Sequence, residues 1–241
     1  MKLDGKRVVV VGGTSGMGLG AVKAALDAGA EVFAAGRRPV AARELTSGGR
    51  LHDLTVDITN EASVRSAFDL IGDLDHLFVT ATPSGGAKAF LEQDVADAQR
   101  IMNGKFFGSF ACARHAAPRM RAGGSITFLT GGVVVRPRAG LAIMTATFAA
   151  VEALSRALAL ELGPLRVNTI RPGVVDSAMW DFLDDAARDR FRRMVAETMP
   201  VRRLGRIEDI GDAAVFLMTN PYVTGAILEV SGGETLVTLD L

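Results

Sequence analysis

Short runs that predict strands alternate along this chain with stretches whose apolar residues recur at helical spacing. The runs cover residues 6–11, 31–35, 51–56, 76–80, 125–129, 166–170 and 226–230, and the longest helical stretches cover 104–120 and 139–162. Near-continuous apolar strands separated by helices are typical of a parallel sheet that is covered on both faces. No Pro/Ser-rich linker, repeat or charge run divides the 241 residues. We therefore predict one α/β domain, residues 1–241, with a doubly wound parallel sheet of about seven strands.

The first predicted strand ends in a glycine-rich turn, residues 12–18, and a helix follows until Gly29. Glycine permits a tight turn and lets the backbone approach a pyrophosphate closely, and the N-terminus of the helix offers unpaired N–H groups. This order predicts a dinucleotide-binding Rossmann fold, with a tight turn that binds no ligand as the alternative. The predicted cofactor contacts in the turn are Gly12, Thr14, Ser15, Gly16, Met17 and Gly18.

The ends of the next two strands bear on the choice of cofactor. The second strand ends at Gly36-Arg37-Arg38, where NAD-binding members of this architecture place an acid that binds the ribose 2′-hydroxyl. Arg37 suits a 2′-phosphate instead, so the sequence predicts NADP(H) in preference to NAD(H), with two solvated arginines as the alternative. Asp57 ends the third strand and either accepts from the adenine amino group or caps the helix that begins near Asn60.

Composition excludes several classes of partner. The 27 basic and 27 acidic residues give zero formal charge, so neither nucleic acid nor a membrane surface is expected as a partner. The apolar stretches are too short, or too often interrupted by charge, to predict a membrane helix. The single cysteine, Cys112, cannot form an internal disulfide, so a cytoplasmic location is expected. No metal site is predicted.

A polar, helical stretch follows the sixth strand. Residues 176–199 carry the single tryptophan, Trp180, and predict a substrate lid over the cleft, spanning about 176–204. A pair of plain surface helices is the alternative.

Several segments in the right order resemble the short-chain dehydrogenase/reductase superfamily. Residues 11–18 resemble its Thr-Gly-x-x-x-Gly-x-Gly motif with Val11 in place of threonine, and residues 166–173 resemble the stretch whose Pro-Gly lies beside the nicotinamide. The chain is identified as a member over essentially its whole length. The resemblance implies a nicotinamide cofactor, a small-molecule substrate and a homodimer or homotetramer. It implies further cofactor contacts at Asp57, Ile58, Ala81, Pro172, Gly173, Val175 and Ser177.

The catalytic positions depart from the resemblance. Members carry a Tyr-x-x-x-Lys pair whose tyrosine transfers the substrate proton, but here those positions are Met144 and Phe148. The substrate-orienting serine falls at Gly131, and the helix asparagine falls at Lys105. All four positions of the tetrad are therefore replaced.

Lys105 is the candidate catalytic residue that remains. Its ammonium is expected to bind ribose hydroxyls or to donate a proton if burial lowers its pKa, whereas the alternative is a lysine that packs its stem and bonds to backbone at a helix bend. Thr130 is the nearest hydroxyl to the serine position, and Arg136 and Arg138 either grip a substrate anion or are solvated.

Two function classes follow. The first is an NAD(P)(H)-dependent oxidoreductase of unusual mechanism that acts on a small carbonyl, alcohol or imine. The second is a catalytically inactive or non-redox protein that serves as a nucleotide-responsive binding or regulatory module.

Overall fold

The predicted strands form one parallel sheet. The computed structural model describes residues 1–38, 50–83, 85–177 and 184–237. The order across the sheet is β3-β2-β1-β4-β5-β6-β7, and all six neighbouring pairs are parallel. The predicted doubly wound Rossmann architecture is confirmed. The strands are β1 (Arg7–Val11), β2 (Glu31–Gly36), β3 (Arg50–Thr55), β4 (Leu74–Val79), β5 (Met120–Leu129), β6 (Arg166–Pro172) and β7 (Ile227–Val230).

Helices cover both faces of the sheet because the central strands are apolar on both. In β1, Val8 and Val10 face a core that includes α1 and α7, whereas Val9 and Val11 face a second core that includes α2, α4 and α5. The helices are α1 (Gly16–Asp27), α2 (Glu61–Ile71), α3 (Val95–Met102), α4 (Gly108–Ala116), α5 (Ala142–Glu161), α6 (Asp185–Thr198) and α7 (Ile207–Thr219).

The strand order changes direction at β1: β2 and β3 lie on one side of it, and β4 to β7 lie on the other. The segments that follow β1 and β4 therefore separate toward opposite faces and open a crevice at the carboxyl ends of these strands, where ligands bind in such sheets. The start of the crevice is held by backbone bonds, since the Gly12 amide donates to Ala35 O (2.7 Å) and the Thr80 amide donates to Val11 O (2.8 Å).

The helix predicted over about residues 104–120 is wrong in its start and ends within one residue of the prediction. Helical structure begins earlier, with α3, continues through a π-helical turn over Asn103–Phe107 into α4, and ends in a short 3₁₀ turn. Pro118 lies in that last turn and cannot continue an α-helix. β5 then begins at Met120 rather than at Ser125, because Met120 pairs with Leu74 of β4; the register then shifts, and the pairing resumes at Ser125 opposite His76.

Helix α5 is apolar enough and long enough, by length and composition alone, to cross a membrane. This differs from the sequence-based expectation, yet core helices of globular proteins meet the same criterion. Here α5 packs against β6 and buries a charged residue, Glu152, in an ion pair with Arg171.

The region predicted as a lid contains α6. Asp176, just before it, accepts hydrogen bonds from Arg188 (2.9 Å) and Arg192 (2.8 Å) of that helix. Residues 178–183, with Trp180, lie outside the described residues, and the lid stays a prediction.

Candidate functional site

The glycine turn packs tightly against the segment that follows β4. At Gly12, where φ is +89°, a Cβ atom would lie 2.4 Å from Thr80 Oγ1 and 2.6 Å from the Ala81 amide nitrogen. At Gly18 a Cβ atom would lie 2.0 Å from the carbonyl oxygen of Gly12. Only glycine fits at these two positions, so the sequence of the turn brings the start of α1 next to Ala81.

The N-terminus of α1 opens into space at the next residues. Ser15 precedes the helix in an extended conformation and its hydroxyl does not cap the helix, and the first turn contains no acidic side chain. A Cβ atom at Gly16 would have one neighbour within 4 Å among the described residues, the Cβ of Ser177 at 3.9 Å. Met17 directs its side chain to the core and leaves its backbone to the turn. This cradle of amides at a helix N-terminus fits a pyrophosphate.

Arg37 lies at the carboxyl end of β2 and is exposed. It borders a cleft of about 900 Å³ together with Ile58 and Thr59 from the end of β3 and Pro83 from the loop after β4. Thr14 of the glycine turn packs against the same end of β2, since a Cβ atom at Gly36 would lie 2.6 Å from Thr14 Oγ1. The structure thus places these predicted cofactor contacts along one edge of the sheet.

Asp57 also lies at this edge and does not cap a helix. Its Oδ1 accepts from the hydroxyl (2.7 Å) and the amide (2.9 Å) of Thr59, and these bonds, with Arg37 nearby, lower its pKa. Asn60 caps α2 instead through bonds from Ala62 N and Ser63 N. The capping alternative is therefore wrong, because the short Asp57 side chain accepts hydrogen bonds from Thr59, two positions ahead, and so forms a turn.

Lys105 lies in the π-helical turn and has no exposed surface. Its Nζ donates to the carbonyl oxygen of Ala81 (3.1 Å) and lies 5.8 Å from the centre of the Phe148 ring. Burial lowers the pKa of Lys105 to about 7. The side chain thus packs and bonds to backbone at a helix bend, and the carbonyl it holds belongs to the loop that packs on the glycine turn.

An apolar wall lies beside Lys105 and is formed by Met144 and Phe148, which occupy the positions of the Tyr-x-x-x-Lys pair. A Cβ atom at Gly131 would lie 3.0 Å from the ring of Phe148, and one at Gly86 would lie 3.1 Å from Met144 Cγ. The residues at the four tetrad positions therefore lie close together: Gly131 and Lys105 both approach Phe148, and Met144 lies one helical turn before Phe148 in α5. Met144 and Phe148 have no group that transfers a proton, so this wall contributes shape and exclusion of water.

Behind the wall lies a buried ion pair that sequence reasoning missed. Arg171 binds Glu152 through two hydrogen bonds, Nε to Oε1 (3.0 Å) and NH2 to Oε2 (2.7 Å). Thr130 donates its hydroxyl to the same Oε1 (2.9 Å) and is buried, so it is poorly placed to orient a substrate carbonyl. The available signal was Glu152 itself, an acid one helical turn after Phe148 on the core side of an apolar helix.

The second half of the crevice is formed by the ends of β5, β6 and β7. Pro172 pairs with Val230, the Gly173 amide donates to the carbonyl oxygen of Val230 (3.1 Å), and Val175 bridges to Gly205. Arg138 donates a hydrogen bond to Glu234 Oε1 at 2.6 Å. Its guanidinium is therefore committed to a residue of the chain and is not simply solvated.

The sequence matches a known family model across this whole architecture. The model, described as Enoyl-(Acyl carrier protein) reductase, covers residues 11–235. A short-chain dehydrogenase/reductase from Acremonium sp., ucsE, is 32% identical over 98% of this chain and 97% of its own. The chain belongs to the short-chain dehydrogenase/reductase family.

Similarity to proteins with stated activities and to a solved complex extends the comparison. A 7alpha-hydroxysteroid dehydrogenase of Escherichia coli K12 is 29% identical over 97% of this chain and 95% of its own. A small-chain dehydrogenase crystallised with NADPH superimposes with a TM-score of 0.82, at 31% identity over 96% of this chain and 99% of that chain. This short-chain dehydrogenase/reductase is thus an oxidoreductase-family protein, and the family binds nicotinamide cofactors and acts on small molecules.

Proposed function

We propose that this protein is an NADP(H)-dependent oxidoreductase that acts on a small carbonyl, alcohol or imine without a Tyr–Lys pair. The observation that carries the proposal is the open cradle at the start of α1, where Gly16 borders Ser177 and the glycine backbone has room for a pyrophosphate. The alternative of a turn without a ligand explains the fit of Gly12 and Gly18 but not the open space beside Gly16.

Arg37 is the proposed reader of the 2′-phosphate. It is exposed at the strand end next to Thr14 and faces the cleft that Ile58 also borders. A guanidinium binds phosphate oxygens in pairs and is always charged, which favours NADP(H). The relative crystallised with NADPH supports the same choice. Asp57, Ala81, Pro172, Gly173 and Val175 complete the proposed cofactor site.

Lys105 acts in this proposal as a positioning residue. It has no exposed surface, and its contact with Ala81 O fixes the loop against which the glycine turn packs. Bound NADPH supplies or accepts the hydride, and the apolar wall of Met144 and Phe148 keeps water away from that transfer.

Assembly into a homodimer or homotetramer is part of the proposal. Phe107 and Phe110 are 55% and 41% exposed and border the same cleft as Arg37, and Leu160 is exposed near the end of α5. Exposed aromatic side chains near one another are typical of a surface that a second copy covers. The cytoplasmic location stays a prediction.

Deuterium transfer tests the redox function. The protein is incubated with NADPH deuterated at either face of C4 and a panel of ketones, aldehydes and cyclic imines, and products are analysed by mass spectrometry. Deuterium in a product, from one face only, supports the proposal. Tight binding of NADPH without transfer to any compound of the panel overturns the redox function and leaves the nucleotide-responsive binding module.

A further inference from the structure

A buried carboxyl group lies in the second half of the crevice and takes no part in the function proposed above. Glu234 begins a 3₁₀ turn directly after the glycines that follow β7, and only 7% of the residue is exposed. Its Oε2 would lie 2.6 Å from a Cβ atom at Gly173 and 3.5 Å from one at Gly132. The carboxyl thus occupies space between the ends of β5 and β6 that side chains at these two glycines would fill.

Two groups hold the carboxyl in place. Arg138, on the loop between β5 and α5, donates to Oε1 at 2.6 Å, and the Val174 amide also donates to the carboxyl. This geometry fixes the orientation of the group from two different loops. A carboxyl held in this way is pre-organised for work at the crevice, because ordering it on substrate binding costs little further entropy.

Burial is the largest influence on the protonation of Glu234. Burial raises the pKa of Glu234, the adjacent Arg138 opposes that rise, and Glu229 of β7 and Arg136 of the loop act in opposite directions. Arg171 of β6 faces Glu152 and Glu229 instead. A glutamate with a raised pKa is the kind of group that enzymes use as a general acid near neutral pH.

Other side chains near this end of the sheet are engaged elsewhere. The hydroxyl of Thr130 is donated to Glu152, the ammonium of Lys105 is enclosed beneath Ala81, and Asp176 is bound by two arginines of α6. Met144 and Phe148 cannot transfer protons. Glu152 is paired with Arg171, so Glu234 is the carboxyl among the described residues that lies against Gly132 and Gly173 at the ends of β5 and β6.

We propose that Glu234 is the acid–base residue for the substrate, with Arg138 as its positioning residue; this inference rests on the proposed oxidoreductase function. Bound NADPH supplies the hydride, whose electron pair forms the new C–H bond at the carbonyl carbon. The π electrons of the C=O bond move to oxygen, which takes the proton from the Glu234 carboxyl. The resulting carboxylate is paired with Arg138 and is reprotonated from water. The carbonyl is reduced by two electrons and NADPH is oxidised by two.

The first test measures the carboxyl without any turnover. Infrared spectra of the protein without cofactor are recorded between pH 5 and pH 8 for wild type, Glu234→Gln, Arg138→Met and Glu229→Gln. We expect a protonated-carboxyl band that titrates above the ordinary range of glutamate, disappears in Glu234→Gln and persists to higher pH in Arg138→Met. Glu229→Gln is the matched control and retains the band, because hydrogen bonds from Ser231 and Thr235 and the nearby Arg171 outweigh burial and lower the pKa of Glu229. Since Glu229 raises the pKa of Glu234, the band in this variant is expected to titrate at a lower pH than in wild type. A wild-type spectrum without the band refutes the proposal.

The second test separates proton donation from structural support. Single-turnover reduction by NADPH is compared for an aryl ketone, which needs a proton, and for N-methyl-3,4-dihydroisoquinolinium, a permanent cation that needs only the hydride. We expect Glu234→Gln to slow ketone reduction by about 10²- to 10⁴-fold and to leave iminium reduction within a few-fold of wild type. Equal losses with both compounds, or no loss with the ketone, overturn the role of Glu234.

The outcomes distinguish this inference from the function on which it rests. Failure of the wild type to bind NADPH refutes the proposed function itself. Wild type that binds NADPH and reduces the iminium but never the ketone supports hydride transfer and contradicts an acid role for Glu234.

Discussion

Replacing Lys105 with methionine removes a buried ammonium and with it a specific dependence of stability on pH. The pKa of Lys105 is about 7 in the folded protein, because burial disfavours the charged form, against 10.5 for an ordinary lysine. Between these values the unfolded chain holds a proton that the folded protein has released. The free energy of unfolding therefore rises with pH in this window, by at most about 1.4 kcal/mol per pH unit.

The magnitude over a practical range follows from the same two pKa values. From pH 7 to pH 8.5 the Lys105 contribution rises by about 1.5 kcal/mol. The window stops there because burial also raises the pKa of the Cys112 thiol to about 12. Above about pH 9 the unfolded thiol ionises while the folded one does not, which opposes the Lys105 contribution, so the rise in stability with pH levels off.

Urea unfolding followed by circular dichroism, at half-unit steps across this window, provides the assay. The wild type is expected to gain stability with pH, and Lys105→Met is expected to lose that gain. Lys2→Met, which removes an exposed lysine, is the control and should behave as wild type. The reasoning is refuted if Lys105→Met keeps the wild-type slope or if the wild type shows none.

Three further predictions address the cofactor cradle, the buried ion pair and the exposed aromatic surface. Gly16→Ala is expected to cost about 1 to 2 kcal/mol, because φ is +52°, and to abolish the rise in melting temperature caused by NADPH, since a methyl group enters the open cradle. Arg171→Met leaves the Glu152 carboxylate without its partner in a buried site and should lower the free energy of urea unfolding by about 3 to 5 kcal/mol. Phe110→Glu is expected to shift the protein toward monomer in sedimentation velocity, whereas an unchanged distribution contradicts assembly through α4.

The sheet could be predicted because its signals are local. Strands β1, β2, β3 and β4 lie close to the runs that predicted them, and the glycine turn fixes where α1 begins. β5 was predicted short because residues 121–123 are exposed and the segment includes two glycines, so composition does not indicate the pairing of Met120 with Leu74 that extends the strand. The π-helical turn around Lys105 likewise has no local signature, since it depends on contacts with Ala81 and Phe148.

Burial of charge could not be predicted from the sequence. Glu234 and Arg138 are 96 residues apart, and Glu152 and Arg171 are on different elements, so neither pair has a spacing that indicates contact. An arginine on a loop is usually solvated, and only the packing of the ends of β5, β6 and β7 shows that Arg138 is bound to Glu234. The residues with the most specific chemistry in the second half of the crevice were therefore the ones that pattern reasoning missed.

The central claim is that the crevice binds NADP(H) through the glycine cradle and Arg37. Thermal unfolding is measured with saturating NADPH, NADP, NADH and NAD for wild type, Arg37→Met and Arg38→Met, the last as a matched control at the neighbouring exposed arginine. A ligand at about one hundred times its dissociation constant adds roughly 2.7 kcal/mol, or about 5 to 10 °C at this chain length. The account predicts that shift with NADPH for wild type and Arg38→Met, and its loss in Arg37→Met. No shift of the wild type with any of the four nucleotides would contradict it.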